Sequence, residues 1–178
     1  MRRLFITSQL VLGLGLGVSC AHRNQTVEIA VQRAGSGSAE AVVRLDVPAD
    51  WRALVPSRWR AEYLSPDNLS RAYVRAMPVE ADIKRCPQAA RQYASEFIQA
   101  WGGPPQTRLA RKRSAGETVD FELRRSEPKP NGEVIWARVI CRDGALAIAS
   151  CTVAAISAQE LARRCQDIVQ SLQVRLPR

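Results

Sequence analysis

The sequence predicts an α+β fold, an antiparallel sheet built from hairpins and flanked by two main helices. Three observations lead there. Apolar and polar residues alternate in several short runs, the period of a strand with one buried face. Turn residues separate these runs in pairs, most clearly Asp143-Gly144, a strong hairpin signal. Apolar residues at spacings of three and four mark one helix after Cys86 and another near the C-terminus. The order is therefore strands, helix, four strands, helix, without the regular alternation a parallel α/β sheet requires.

Taken in order, VEIAVQR alternates at Val27, Ile29 and Val31, AGSGSAE is a loop or hairpin connection, and AVVRLDVP is a strand ended by Pro48. Asp50-Trp51 opens an irregular stretch to Pro56. RWRAEYLS puts Trp59, Ala61 and Tyr63 on one face, and Ser65-Pro66-Asp67-Asn68 joins proline to Asx-turn chemistry. The chain returns through LSRAYVRAMPV, with Ala72, Val74 and Ala76 inward and Arg71, Tyr73 and Arg75 on a wet face. Cys86-Pro87 opens the first helix, where a missing N–H does no harm. Ala90, Tyr93, Ala94, Phe97 and Trp101 form its stripe, and Gly102-Gly103-Pro104-Pro105 stops it. TRLARKR and ETVDFELRR pair through SAGE with Val119, Phe121 and Leu123 inward, and SEPKPNGE is a loop. VIWARVIC and ALAIASCTVA are apolar on both faces, so they read as central strands covered on both sides. Ser157 and Glu160 form a capping box for the last helix, which runs through SLQV with Leu161, Cys165, Ile168 and Leu172 on one face.

Met1-Arg2-Arg3 precedes an uncharged stretch, Leu4 to Ser19, shorter than the ~20 apolar residues of a membrane span. Residues 1–19 read as a secretory signal peptide. Gly17-Val18-Ser19-Cys20 resembles the lipobox of bacterial lipoproteins: Val18 and Ser19 suit the positions before the cysteine, while Gly17 stands where leucine is commonest. Gly17-x-Ser19 also satisfies the small-x-small rule of an ordinary signal-peptidase site. Five cysteines are an odd number for an exported chain, and assigning Cys20 to lipid leaves an even four. The resemblance implies lipid attachment at Cys20 through acyl (palmitate) chains on the new N-terminus, and three chains make a stable anchor. It also implies the outer membrane, since Ala21 is not the aspartate that commonly retains such proteins at the inner membrane. The expected organisation is a signal peptide at 1–19, lipidated cysteine and tether at 20–26, and a single α+β domain at 27–178.

Removing the signal leaves 159 residues with 24 basic against 17 acidic side chains, net +7. In the envelope this charge could face phospholipid headgroups, lipopolysaccharide or cell-wall polymers, or simply be a solvated arginine-rich surface. No nucleic-acid partner is expected. The densest run is Arg108, Arg111, Lys112 and Arg113, with charges on both faces of a strand and at a turn. That pattern suits an exposed sheet edge and makes these residues candidate anionic-surface contacts.

Four cysteines allow three pairings. A turn at Asp143-Gly144 sets Cys141 opposite Leu146 and Cys151 opposite Trp136, which puts the two sulfurs on opposite faces and disfavours that pair. Cys151 and Cys165 lie at matching depths in the last strand and the returning helix. Cys86 with Cys141 is left, and requires the first helix to start over the opposite face. Reduced buried thiols are the next alternative. Metal comes last, since spacings of 55, 10 and 14 fit no zinc pattern.

His22, the one histidine, lies in the tether, which excludes triads and multi-histidine metal sites within one chain. There is no GxSxG and no phosphate-cradling glycine loop. Asp120 and Glu122 share a strand face, read as solvated opposite Phe121. No enzyme activity, cofactor or metal is expected. Trp51, Trp59, Trp101 and Trp136 could supply the aromatic walls of a ligand site, with Trp101 and Trp136 read as core.

A strand ending VPADW, a hairpin, a mid-chain helix, further hairpins and a C-terminal helix closing I..SL resemble the PsbP-like αβα sandwich over residues 40–174. That fold recurs in small bacterial lipoproteins and implies an accessory or assembly role. The functional expectation is a non-catalytic, lipid-anchored envelope protein acting as a binding or assembly module at the outer membrane. It would touch the membrane through acyl chains on Cys20 and serve a larger envelope complex, such as surface-polymer or motility machinery, through a protein partner. The alternative is a soluble periplasmic ligand-binding protein; a third reading holds the domain on anionic membrane by charge alone.

Overall fold

The computed structural model describes residues 23–32, 41–54, 57, 59–79, 86–101, 107–125, 132–154 and 159–177. The expected signal peptide, Cys20, His22, the connection at 34–40, the helix stop at 102–105, most of SEPKPNGE and the Ser157 cap lie outside the described residues.

Along the chain run β1 (Asn24–Val31), β2 (Ala41–Pro48), β3 (Arg52–Ala53), β4 (Arg60–Leu64), β5 (Ser70–Pro78), α1 (Cys86–Trp101), β6 (Thr107–Ala115), β7 (Thr118–Arg125), β8 (Glu133–Arg142), β9 (Ala145–Ala154), α2 (Gln159–Gln170) and β10 (Gln173–Arg175). Seven strands form the main sheet in the order β3-β4-β5-β9-β8-β7-β6, and β1-β2-β10 form a smaller one. Every strand pairing among the described residues is antiparallel, so the fold is the α+β class that hairpin patterning predicts.

The main sheet is buried on both sides because its central strands are apolar on both faces. On one side Ala72, Val74 and Ala76 of β5 and Ala147, Ala149 and Val153 of β9 meet Val43, Leu45 and Val47 of β2 and Ile168 and Val169 of α2. On the other, Val119, Phe121, Leu123, Ile135, Val139 and Ile148 pack under Ala90 and Ala94 of α1. Alanine at the helix contact lets α1 lie close to the sheet. The result is three layers: α1, the main sheet, and the small sheet with α2.

Asp143 and Gly144 both take positive φ, 50° and 74°, the conformation of a two-residue turn matched to strand twist. That turn fixes the β8–β9 register, with Cys141 opposite Leu146 and Cys151 opposite Trp136. The two sulfurs therefore face opposite layers. Cys86 at the start of α1 is bonded to Cys141, and Cys165 in α2 to Cys151, each with Cα atoms 5.2 Å apart. These are the pairs that parity and depth favoured, and each ties one helix to a central strand.

In the β4–β5 turn Asn68 adopts φ 59°. The Asp67 carboxylate accepts hydrogen bonds from the Ser65 hydroxyl and from the Leu69 N–H at 3.0 Å, which hold its pKa below the usual carboxylate range.

Three expectations need correction. The last helix ends at Gln170 instead of continuing to Val174. Ser171 ends it: its hydroxyl donates to Ile168 O at 2.7 Å and accepts the Asp46 N–H at 2.9 Å, so the next residues pair with β2. β1 starts at Asn24, so residues 24–26 of the expected tether are paired with Pro48, Val47 and Asp46. Arg52 and Ala53, in the stretch read as irregular, pair with Leu64 and Tyr63 as β3. Among the described residues no helix is long and apolar enough to cross a membrane.

Candidate functional site

One row of residues crosses six strands of the main sheet in register: Lys112, Phe121, Ala137, Ser150, Tyr73 and Glu62. Its character changes partway. Phe121 and Ala137 are apolar and buried under α1, whereas Ser150, Tyr73 and Glu62 are polar and line a groove at the flank of the helix. The sheet and the flank of α1 enclose a groove of 430 Å³ there. Its floor is Glu62 of β4, Arg71, Tyr73 and Arg75 of β5, and Ser150 and Thr152 of β9. Its wall is Tyr93, Glu96, Phe97, Ala100 and Trp101, which recur at three and four along one edge of α1.

The aromatic wall is supported from the core outward. Phe121 sits 5.7 Å from Phe97 between ring centroids, and Phe97 stacks on Trp101 at 5.8 Å with planes 22° apart. The end of the helix is held by Arg125, which donates to the Trp101 carbonyl at 3.3 Å. Trp101 itself remains 36 % exposed, which corrects its assignment to the core: the last turn of α1 overhangs the open part of the sheet.

Burial raises the phenol pKa values of Tyr73 and Tyr93, against the opposing pull of nearby Arg75, so both stay protonated at neutral pH. Arg71 and Arg75 are balanced by Glu62 and Glu96, and the groove carries no formal net charge. Ser150 is 4 % exposed as a residue and lines the groove floor. Gln92 donates to Glu96 at 3.0 Å, while the side chains of Arg71, Glu62 and Thr152 have no hydrogen-bond partner among the described residues. The groove thus presents donors and acceptors beside a stacked aromatic pair, and neither histidine nor cysteine lines it.

Apart from Trp101, the candidate site residues singled out from the sequence fall elsewhere. Arg108, Arg111, Lys112 and Arg113 lie on β6, an exposed edge of the main sheet. A register shift between Leu109 and Arg111 changes the expected distribution. Arg108, Arg111 and Arg113 stand opposite Arg124, Glu122 and Asp120, so all three share the α2 side, and Lys112 alone stands opposite Phe121 on the other. Of Asp120 and Glu122, read as a solvated pair, only Asp120 keeps a solvent-exposed side chain, at 39 %. Glu122 is buried and bonds Arg124 at 2.8 Å, and Asp120 takes two bonds from Arg138, at 2.6 and 3.1 Å. Trp51 is buried in the core, Trp59 is half-buried, and Trp136 packs half-buried against the α2-side core. Of the four tryptophans only Trp101 lines the groove. Among the described residues no group of three or more His, Cys, Asp or Glu could hold a metal ion.

The sequence placed Arg71, Tyr73 and Arg75 on one wet face and Tyr93, Phe97 and Trp101 on one helix stripe, but their meeting in a groove depends on three strands and a helix edge coming together. A further local signal was the polar alternation of Ser150 and Thr152 inside an otherwise apolar strand.

No protein-family model matches the sequence, and no curated protein does. Solved structures do match. The Ran-binding protein Mog1p of Saccharomyces cerevisiae superimposes with a TM-score of 0.51 at 16 % identity, over 86 % of this chain and 96 % of that one. LpqN of Mycobacterium tuberculosis, described as involved in cell envelope biogenesis, gives 0.51 at 14 % identity over 85 % and 91 %. Cyanobacterial PsbP from Synechocystis sp. PCC 6803 gives 0.50 at 13 % identity over 92 % and 98 %. Likeness at such identities is a shared fold, and that fold is PsbP-like.

Proposed function

We propose that this chain is a non-catalytic, lipid-anchored binding module of the bacterial envelope, held at the outer membrane through Cys20, engaging its ligand in the groove beside α1 and serving a larger envelope assembly. The groove carries the reading: a concave, aromatic-walled site with unpaired polar groups, built on a sheet that disulfides tie to both helices. Such rigid framing reduces the ordering cost of binding.

The anchor is supported by Val18-Ser19-Cys20 and by cysteine use, since the two disulfides account for the other four thiols. Only three residues separate Cys20 from β1, a reach of roughly 10 Å at about 3.3 Å per residue, so an acylated chain would carry its domain close to the headgroups. LpqN's description as involved in cell envelope biogenesis is consistent with a role in the envelope.

The test is the intact mass and membrane partition of the protein beside a Cys20→Ala variant. A mature mass exceeding the 159-residue chain by three acyl chains and a glycerol, with membrane association lost in the variant, is the expected result. An unmodified soluble chain would discard the anchor and favour the soluble periplasmic ligand-binding alternative.

The arginines gathered on one side of β6 support a second, electrostatic contact with the anionic surface. Cys20→Ala protein should bind vesicles containing anionic lipid at low salt and leave them near ~0.5 M salt, where screening falls well inside the ~10 Å Debye length of 0.1 M. Replacing Arg108, Arg111 and Arg113 together by glutamine should weaken binding about 100-fold, at about 1 kcal/mol per charge. Co-sedimentation that survives high salt, or is indifferent to the triple substitution, would remove β6 from the interface.

A further inference from the structure

Resting on the reading of the groove as the binding site, we infer that its ligand is an uncharged sugar unit of an envelope glycan, stacked on Trp101 with its hydroxyls on the polar floor. Three features select that chemistry over its competitors. The first is charge. The mature protein carries net +7, yet the groove sets Arg71 and Arg75 against Glu62 and Glu96. An anionic ligand would gain the arginines and meet two carboxylates, so balance favours a neutral molecule.

The second feature is the mixture of donors and acceptors. A sugar hydroxyl both donates and accepts, and a row of them is satisfied where guanidinium, carboxylate and hydroxyl groups alternate. The side chains of Arg71, Glu62 and Ser150 supply these from the groove floor. Ser150, only 4 % exposed as a residue, still lines the floor and adds a hydroxyl able to donate and accept. An acyl chain would bury all these groups without partners, a loss that apolar contact would not offset.

The third feature is the exposed aromatic pair. Trp101 stacks on Phe97, which fixes its plane against the groove. A pyranose has an apolar C–H face and a polar perimeter, so a ring lying on Trp101 turns its perimeter toward the floor. The 430 Å³ volume falls within the roughly 300–1,000 Å³ of small-molecule sites, room for a short stretch of a longer chain.

The experiment uses isotope-labelled Cys20→Ala protein and three probe classes: neutral tetrasaccharides (chitotetraose, cellotetraose and maltotetraose), a sulfated tetrasaccharide, and an uncharged extended peptide. At least one neutral tetrasaccharide at millimolar concentration should shift amide resonances of β5, β9 and the second half of α1. It should also change tryptophan emission, with the emission change absent from Trp101→Phe. Trp101→Ala and Arg71→Ala, both at exposed side chains, should keep the spectrum of a folded protein and weaken binding at least about tenfold, equal to ~1.4 kcal/mol. If the peptide or the sulfated probe moves those amides and the neutral sugars do not, the sugar assignment falls and the groove stands. If sugars move amides elsewhere, or no probe class moves the groove, both the assignment and the groove fall.

Discussion

Replacing Cys86 and Cys141 together by alanine is expected to lower the unfolding free energy by about 4 kcal/mol, and replacing Cys151 and Cys165 by about 3 kcal/mol. The ranking follows from loop length. The first bond spans 55 residues and the second 14, and a cross-link restricts the unfolded chain more when it closes the longer loop. Either loss is a large part of the ~5–15 kcal/mol that holds an ordinary domain together. Urea unfolding followed by far-UV circular dichroism would read it as a lower midpoint, and melting should fall by roughly 10 °C for the longer bond. The two pairs also differ in where damage appears. Cys86 opens α1, so loss of its bond frees the helix that forms the groove wall, whereas Cys165 lies within α2 against the other core. A change below about 1 kcal/mol in the Cys86–Cys141 pair would mean that packing of α1 alone fixes the helix, and would remove the bond from any account of groove rigidity.

Local patterning made the strands legible, and one turn made the disulfides legible. Asp143-Gly144 sets a register, register sets parity, and parity excludes Cys141 with Cys151. Features that depend on distant partners were hidden. Leu172 follows Ile168 at a helical spacing, so SLQV reads as more helix until Asp46 and β2 are in place to receive it. The β6 irregularity leaves no trace in RLARKR, because a strand polar on both faces has no alternation to break. Asp120 looks unpartnered until β7–β8 pairing sets it directly opposite Arg138. The spacing of Trp101 identifies the correct edge of α1, and only the position of the helix over the sheet shows that this edge ends above open floor.

The same placement makes one core residue responsible for both stability and the groove. Phe121→Ala is expected to cost about 3–5 kcal/mol, the range for deleting a buried aromatic ring. Phe121 is only 3 % exposed, in the core beneath α1, and Phe97 leans on it with planes 59° apart. Removing the ring leaves a cavity and withdraws the support that keeps Phe97 stacked on Trp101, so the groove wall should loosen along with the fold. Phe121→Leu fills most of the space and should cost less, while Trp101→Ala removes the exposed end of the chain of rings and should change stability by no more than about 1 kcal/mol. Urea midpoints for the three variants, measured with the near-ultraviolet dichroism of the aromatic rings, separate the contributions. Phe121→Ala should lose both signals, and Trp101→Ala only the dichroism. A Phe121→Ala protein within about 1 kcal/mol of the parent, with its ring dichroism intact, would break the link from core to groove. Phe97 and Trp101 would then be held by α1 alone, and the wall of the site would owe nothing to the ring beneath it.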